Sequence, residues 1–104
     1  MYSYKIYMLY NIFDSELKNT YVGKTRNWTV RKYQHKRRCN DENDKGYNNK
    51  VYKYIRKTGG FENWRMKKLS EISVENKKDK LVNKLELYYI EFYNSKLNTI
   101  KPLE

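Results

Sequence analysis

Two segments near the start of the chain have the composition of β-strands. Residues 4–13 and 20–25 are rich in tyrosine, isoleucine, valine and threonine, which favour extended backbone. The polar residues 14–19 that separate them are typical of a turn. The pattern therefore predicts an antiparallel hairpin with a long turn, whose second strand stops at a glycine.

A helix is predicted directly after this hairpin. Asn27 is a favourable N-cap residue, and residues 28–38 contain no helix breaker. The polar residues 39–46 that follow are predicted to form a loop. Basic side chains share one face of the helix because they are spaced at i, i+4 and i+7. These side chains are Arg31, His35 and Arg38.

A second helix is predicted over residues 48–58. Gly59 and Gly60 follow it, as expected at the C-terminal end of a helix. Residues 64–72 then have the composition of a third strand, although Lys68 interrupts the expected alternation. The apolar side of the second helix is predicted to comprise Val51, Tyr54 and Ile55.

The last predicted element is a helix over residues 74–93, capped by Ser73. Its apolar side chains recur at spacings of four, three and four residues, which predicts one buried stripe. The stripe is expected to contain Leu81, Leu85, Tyr88 and Phe92. Residues 94–104 include the only proline of the chain, Pro102, and are predicted to be irregular.

The resulting order β-β-α-α-β-α favours one small α/β (α+β) sandwich. We expect a three-stranded, largely antiparallel sheet flanked by helices. The expected domain covers residues 1–98, and residues 99–104 form an irregular tail. A chain of 104 residues has the length of a single domain, which leaves no room for a two-domain enzyme.

The charge of the chain points to a polyanionic partner. The sequence has 23 Lys or Arg residues against 12 Asp or Glu residues, which gives a net charge of +11. Attraction to a phosphate backbone is the usual use of such a field. A basic protein that binds nucleic acid only incidentally remains an alternative on charge alone. Disorder is disfavoured, because 16% of the residues are aromatic.

Several classes of site and location are excluded or disfavoured by composition. Cys39 is the only cysteine and His35 the only histidine, so no intrachain disulfide and no site with several Cys or His ligands can form. No run of about 18 apolar residues is present, and the N-terminus lacks the pattern of a signal peptide. We therefore expect an intracellular protein, in the cytoplasm, nucleoid or nucleus.

Three groups of residues are candidates for chemistry. Glu86 lies in the most apolar part of the last helix, where a carboxylate normally has a partner or a metal; a solvated position or a salt bridge to a lysine is the alternative. Arg31 and His35 lie one helical turn apart and could hold one phosphate, or form an ordinary basic face. Tyr7 and Tyr21 lie on neighbouring predicted strands, where packing is an equally simple role.

Taken together, these residues resemble the GIY-YIG nuclease family. The resemblance extends over residues 5–98, nearly the whole chain, and rests on five elements in the family order. The first tripeptide has Lys5 where the family has glycine, but it keeps the tyrosine. The elements are Lys5-Ile6-Tyr7, Tyr21-Val22-Gly23, Arg31 with His35, Glu86-Leu87-Tyr88-Tyr89-Ile90, and Leu97-Asn98.

This resemblance implies a metal-dependent DNA endonuclease that hydrolyses phosphodiester bonds. Glu86 is then the only protein ligand of one Mg²⁺ or Mn²⁺ ion. Arg31 holds the scissile phosphate, and Tyr7 accepts a proton from the attacking water. Tyr21 positions the water or the phosphate, and His35 supports the phosphate or Tyr7.

Three further residues are expected to support the site. Lys24 is expected, with Arg31 and the metal, to favour the phenolate form of Tyr7. Gly23 is expected to let the end of the strand turn tightly, and Asn98 is expected to buttress the site. A non-catalytic nucleic-acid-binding module on the same fold is the alternative function. A homodimer on the substrate and a separate targeting domain or protein also stay open.

Overall fold

The computed structural model describes residues 1–98, and the predictions for residues 99–104, including Pro102, lie outside this range. None of the helices in the described range is long and apolar enough to cross a bilayer. The strands are β1 (Tyr2–Asn11), β2 (Tyr21–Thr25) and β3 (Trp64–Val74). The helices are α1 (Trp28–Asn40), α2 (Lys50–Lys57) and α3 (Lys80–Tyr93), with a 3₁₀ turn at Phe61–Asn63.

The sheet has the order β2-β1-β3, and both strand pairs are antiparallel. Alternate side chains of the central strand β1 point to opposite faces and enter two separate cores. Ile6 and Met8 pack on the side of α3, whereas Tyr7 and Leu9 pack on the side of α1 and α2. The fold is therefore the predicted sandwich, in the predicted order β-β-α-α-β-α.

The predicted boundary between the third strand and the last helix is wrong. Ser73 and Val74 belong to β3, where Ser73 pairs with Ser3 and Val74 is buried. Because β1 begins earlier than predicted, at Tyr2, it offers β3 two more backbone partners. Helix α3 begins later, and its N-cap is Asp79, whose side chain accepts a hydrogen bond from the Leu81 N–H at 2.8 Å.

The predicted buried stripe of the last helix is also wrong. Leu81, Tyr88 and Phe92 are exposed, and of the predicted stripe only Leu85 packs against the core. The buried face instead consists of Val82, Glu86 and Ile90, spaced at i, i+4 and i+8. A pattern built from apolar residues misses this face because a carboxylate lies at its centre.

The first two helices differ from prediction at their ends. The Asn27 cap is confirmed, since its side chain accepts the Val30 N–H at 3.1 Å. Cys39 was assigned to a loop, but it lies in α1, is buried in the core, and has a pKa raised by burial to about 11. In α2, Tyr52 is fully buried, whereas Tyr54 is only half-buried.

Local backbone features explain two details of the sequence. Gly59 and Gly60 both have positive φ, at 98° and 90°, which confirms that they end the second helical segment. In β3, the partner of Ile6 is Ser70 and the partner of Tyr7 is Lys68, so Leu69 is an extra residue. This β-bulge accounts for the interrupted alternation at Lys68.

Gly23 is required by packing rather than by a turn. It pairs with Tyr7 across the sheet, and β2 continues beyond it to Thr25, so the expected tight turn at Gly23 is wrong. The Tyr7 ring lies directly over the glycine backbone. A Cβ at position 23 would come within 2.5 Å of the Tyr7 Oη atom and 2.6 Å of Cζ.

Gly23→Ala is expected to lower the free energy of unfolding by about 1–3 kcal/mol, because the buried Tyr7 ring must move. Gly46→Ala is the control, since its added Cβ would meet the Arg38 side chain, which can shift. The measurement is urea unfolding of both variants. Equal stability of Gly23→Ala and Gly46→Ala would contradict the packing argument.

Candidate active site at the edge strand

A cleft of about 370 Å³ opens along the edge strand β2. Both sides of the sheet contribute to it, because Tyr21 and Gly23 alternate with Val22 and Lys24 along the strand. Helix α3 adds Glu86 from the far side, and α1 adds Arg31. The residues that line the cleft are Tyr4, Tyr7, Tyr21, Gly23, Lys24, Thr25, Arg26, Arg31 and Glu86. The structure thus brings four of the five predicted catalytic side chains to one cleft.

The fifth, His35, lies behind this cleft and contacts Tyr7. The Tyr7 hydroxyl and His35 Nε2 are 2.6 Å apart, and both side chains are only 1% exposed. The edge of Trp28 packs against the Tyr7 ring, with ring centroids 6.0 Å apart. Of the two predicted roles for His35, support of Tyr7 is the one that this contact favours.

His35 has a second tyrosine partner that the sequence analysis missed. Its Nδ1 atom lies 2.7 Å from the hydroxyl of Tyr52, which is buried on α2. Burial, together with the nearby Arg31 and Arg38, lowers the pKa of His35 to about 3. A neutral imidazole carries one ring proton, so His35 donates to one tyrosine and accepts from the other.

Burial favours the protonated form of the Tyr7 and Tyr21 hydroxyls. Burial raises the pKa of Tyr7 well above its ordinary value, and burial raises that of Tyr21 to about 12. Arg31 opposes both shifts but is outweighed. Lys24 was expected to favour the Tyr7 phenolate, but its ammonium group pairs with Glu86 instead. Arg31 therefore favours the Tyr7 phenolate as expected, but its effect on the pKa is smaller than that of burial.

Glu86 forms a salt bridge to a lysine, which the sequence analysis gave as one alternative to a metal site. Its Oε1 atom accepts a hydrogen bond from Lys24 Nζ at 2.9 Å, and the residue is 8% exposed. The pair joins α3 to the edge strand. The Lys24 ammonium group offsets part of the cost of removing this carboxylate from water.

Arg31 and Asn98 have different relations to the site. Arg31 lines the cleft, and within residues 1–98 it forms no ion pair with a carboxylate. Asn98 does not line the cleft but holds its edge strand. Its Oδ1 atom accepts the Val22 N–H at 2.9 Å, and its Nδ2 group donates to the Val22 carbonyl at 2.8 Å.

The donor set of the cleft fits a hydrated divalent cation. In the described part of the chain, no group of three or more His, Cys, Asp or Glu side chains could enclose a metal ion. The side-chain oxygen atoms among the described cleft residues are those of the Glu86 carboxylate, the Thr25 hydroxyl and the tyrosine hydroxyls. Mg²⁺ characteristically binds through one or two carboxylates together with water and substrate phosphates. A single carboxylate in an open cleft meets that requirement, whereas a fully protein-bound ion does not fit.

Comparison with known proteins identifies one family. A family model described as "GIY-YIG catalytic domain" matches residues 4–100 of the 104-residue chain. No curated protein and no solved structure matches the chain significantly. The family match covers both tyrosine tripeptides, the α1 face and α3.

His35 should make the stability of the protein depend on pH. Its pKa is about 3 in the folded state and about 6.5 in an unfolded chain. Between these values the unfolded state binds more protons, so stability is lost as pH falls below about 6.5. We expect His35 to contribute a loss of about 2 kcal/mol between pH 7.5 and pH 5.

The measurement is urea unfolding at both pH values for the wild type and for His35→Gln. The carboxylates titrate in both proteins, so the difference between the two pH dependences isolates His35. Identical pH dependences would show that His35 is not held neutral in the folded protein.

Proposed function

The chain belongs to the GIY-YIG family of nuclease domains, and we propose that it is a metal-dependent endonuclease that hydrolyses phosphodiester bonds in DNA. The observation that carries this proposal is the convergence of Tyr7, Tyr21, Arg31 and Glu86 on one cleft. These residue types supply an acceptor for a proton, a cation for a phosphate and a ligand for a hard metal ion. A net charge of +11 supports a polyanionic substrate.

In this proposal, Arg31 binds the scissile phosphate. Its guanidinium group faces the cleft and has no carboxylate partner in the described range, so its donors are available to a ligand. A planar guanidinium can donate two parallel hydrogen bonds to phosphate oxygens. Tyr21 lies beside it in the same cleft and can donate a further hydrogen bond to the phosphate or to the water.

Tyr7 is proposed to accept the proton of the attacking water. Its raised pKa is an obstacle, because the phenol must first lose its own proton. The contact with His35 offers a partial solution. When the His35 Nε2–H donates to the Tyr7 oxygen, it stabilises a phenolate, and the phenol proton passes to solvent water in the cleft.

Glu86 would hold the divalent cation, Mg²⁺ or Mn²⁺, together with water and substrate oxygens. When bound, such an ion polarises the phosphate and lowers the pKa of groups around it. Lys24 compensates the carboxylate charge in the protein alone, and its ammonium group adds positive charge next to the phosphate.

The remaining parts of the proposal concern support and assembly. Gly23 has no side chain and so leaves space for the Tyr7 ring. Asn98 holds the strand that carries Tyr21 through two hydrogen bonds to Val22. One such cleft cuts one strand, so a double-strand break requires a homodimer on the substrate or a second event. A separate targeting domain or protein is proposed as the source of any sequence specificity.

Removal of the Glu86 carboxylate should abolish cleavage. With Mg²⁺ or Mn²⁺, the wild type is expected to nick supercoiled plasmid, and EDTA should stop the reaction. Glu86→Gln should slow nicking by at least about 100-fold, because the loss of metal-based charge stabilisation costs several kcal/mol. DNA binding should persist, since the substitution removes a negative charge.

Glu91→Gln is the matched control, because Glu91 is an exposed glutamate on the same helix. Nicking by Glu86→Gln at the wild-type rate would remove Glu86 from the mechanism. DNA binding by the wild type without nicking in either metal would favour the alternative, a non-catalytic binding module.

A further inference from the structure

Two further clefts continue the active-site cleft along the α2 side of the molecule. The nearer one, of about 210 Å³, shares Tyr21 with the active-site cleft. The farther one, of about 580 Å³, shares Lys50 and Leu97 with the nearer one. The three clefts therefore adjoin one another in a row. We name the two clefts on the α2 side the α2 groove.

Among the described residues 1–98, those that line the α2 groove include several cations and no carboxylate. Lys50, Lys53 and Lys57 recur at i, i+3 and i+7, so they share one face of α2. Lys96 faces them from the segment after α3, and Arg38 lies in the nearer part. The remaining lining residues are neutral: Asn19, Tyr21, Asn48, Asn49, Val51, Tyr52, Tyr54, Leu97 and Asn98.

The groove lysines Lys50, Lys53, Lys57 and Lys96 have no ion-pair partner among the described residues. Within residues 1–98, no carboxylate lies within 4.0 Å of the ammonium group of any of the four. Other cations of the chain do have such partners. Arg37, for example, pairs with Asp44 at 3.0 Å, and Lys24 pairs with Glu86. Four uncompensated charges in one groove repel each other, and an anionic ligand would relieve this repulsion.

We propose that the α2 groove binds the phosphodiester backbone of the DNA strand that leaves the active-site cleft. This inference rests on the proposed DNA substrate. Lysine ammonium groups bind phosphates as point charges and without sequence preference. A repeating polyanion is the ligand that can contact a row of lysines on one helix and at the same time reach Tyr21 in the active-site cleft.

A second basic cleft on the opposite side of α1 fits this role less well. It has a volume of about 530 Å³ and is lined by Lys32, Lys36 and Arg65. Glu62 lies among these cations, and no lining residue is shared with the active-site cleft. A strand bound there would not lie in a cleft that adjoins the active-site cleft. The geometry therefore assigns the substrate strand to the α2 side.

The test compares the salt dependence of DNA binding in two triple variants. The groove variant carries Lys50→Gln, Lys53→Gln and Lys57→Gln. The control carries Lys32→Gln, Lys36→Gln and Lys67→Gln, which remove the same charge from exposed lysines outside the groove. Fluorescence anisotropy with a labelled 30-base-pair duplex in EDTA, over a range of salt concentrations, measures binding without cleavage.

The slope of log affinity against log salt should decrease by about 0.9 for each lysine that contacts a phosphate, or about 2.7 for the groove variant. The control slope should stay near that of the wild type. The single variant Lys53→Gln, with an expected decrease of about 0.9, serves if the triple variant does not fold. Equal slopes in the groove and control variants would overturn the proposal.

The assay also separates this proposal from the proposed function. If the groove variant has a reduced salt slope but the wild type does not nick plasmid, the α2 groove binds DNA and the proposed endonuclease activity is wrong. If the groove variant nicks plasmid and binds DNA like the wild type, the protein is an endonuclease and the proposed role of the α2 groove is wrong.

Discussion

The packing of the Tyr7 ring on the bare backbone of Gly23 is the constraint on which the site depends. A phenol in the middle of a sheet can reach the cleft only if the residue opposite it has no side chain. His35 then fixes the hydroxyl at 2.6 Å, and Tyr52 fixes the imidazole from behind. The two glycine-and-tyrosine tripeptides of the family are thus two halves of one packing arrangement.

The edge position of β2 explains how residues from separate cores meet. The tyrosines belong to the core under α1 and α2, whereas Glu86 lies on the face of α3 that packs on the other side. If β2 had a further strand beside it, that strand would separate the tyrosines on one face of the sheet from Glu86 on the other. At the edge, the Lys24–Glu86 pair and the two hydrogen bonds of Asn98 to Val22 hold β2 in place of a further strand.

The element order, the sheet and four residues that meet in the cleft could be predicted from the sequence, because strand composition, Asn27 and the tyrosine tripeptides are local signals. The sequence did not reveal features that depend on tertiary packing. The buried face of α3 is centred on a carboxylate, so apolar periodicity selected the exposed Tyr88 and Phe92 instead. Tyr52 was missed because, among 12 tyrosines, nothing local distinguishes the one that meets His35.

The most direct test of the account is single-turnover DNA cleavage with Mg²⁺ by Tyr7→Phe. This variant keeps the ring over Gly23 and removes only the oxygen that contacts His35. Tyr10→Phe is the matched control, since the half-buried Tyr10 lies on the same strand but packs in the core under α3, and thermal melts confirm folding of both. The account predicts a rate about 10²–10⁴ lower for Tyr7→Phe and a near wild-type rate for Tyr10→Phe. Equal rates for the two variants would show that Tyr7 is a packing residue and that the cleft works by another base.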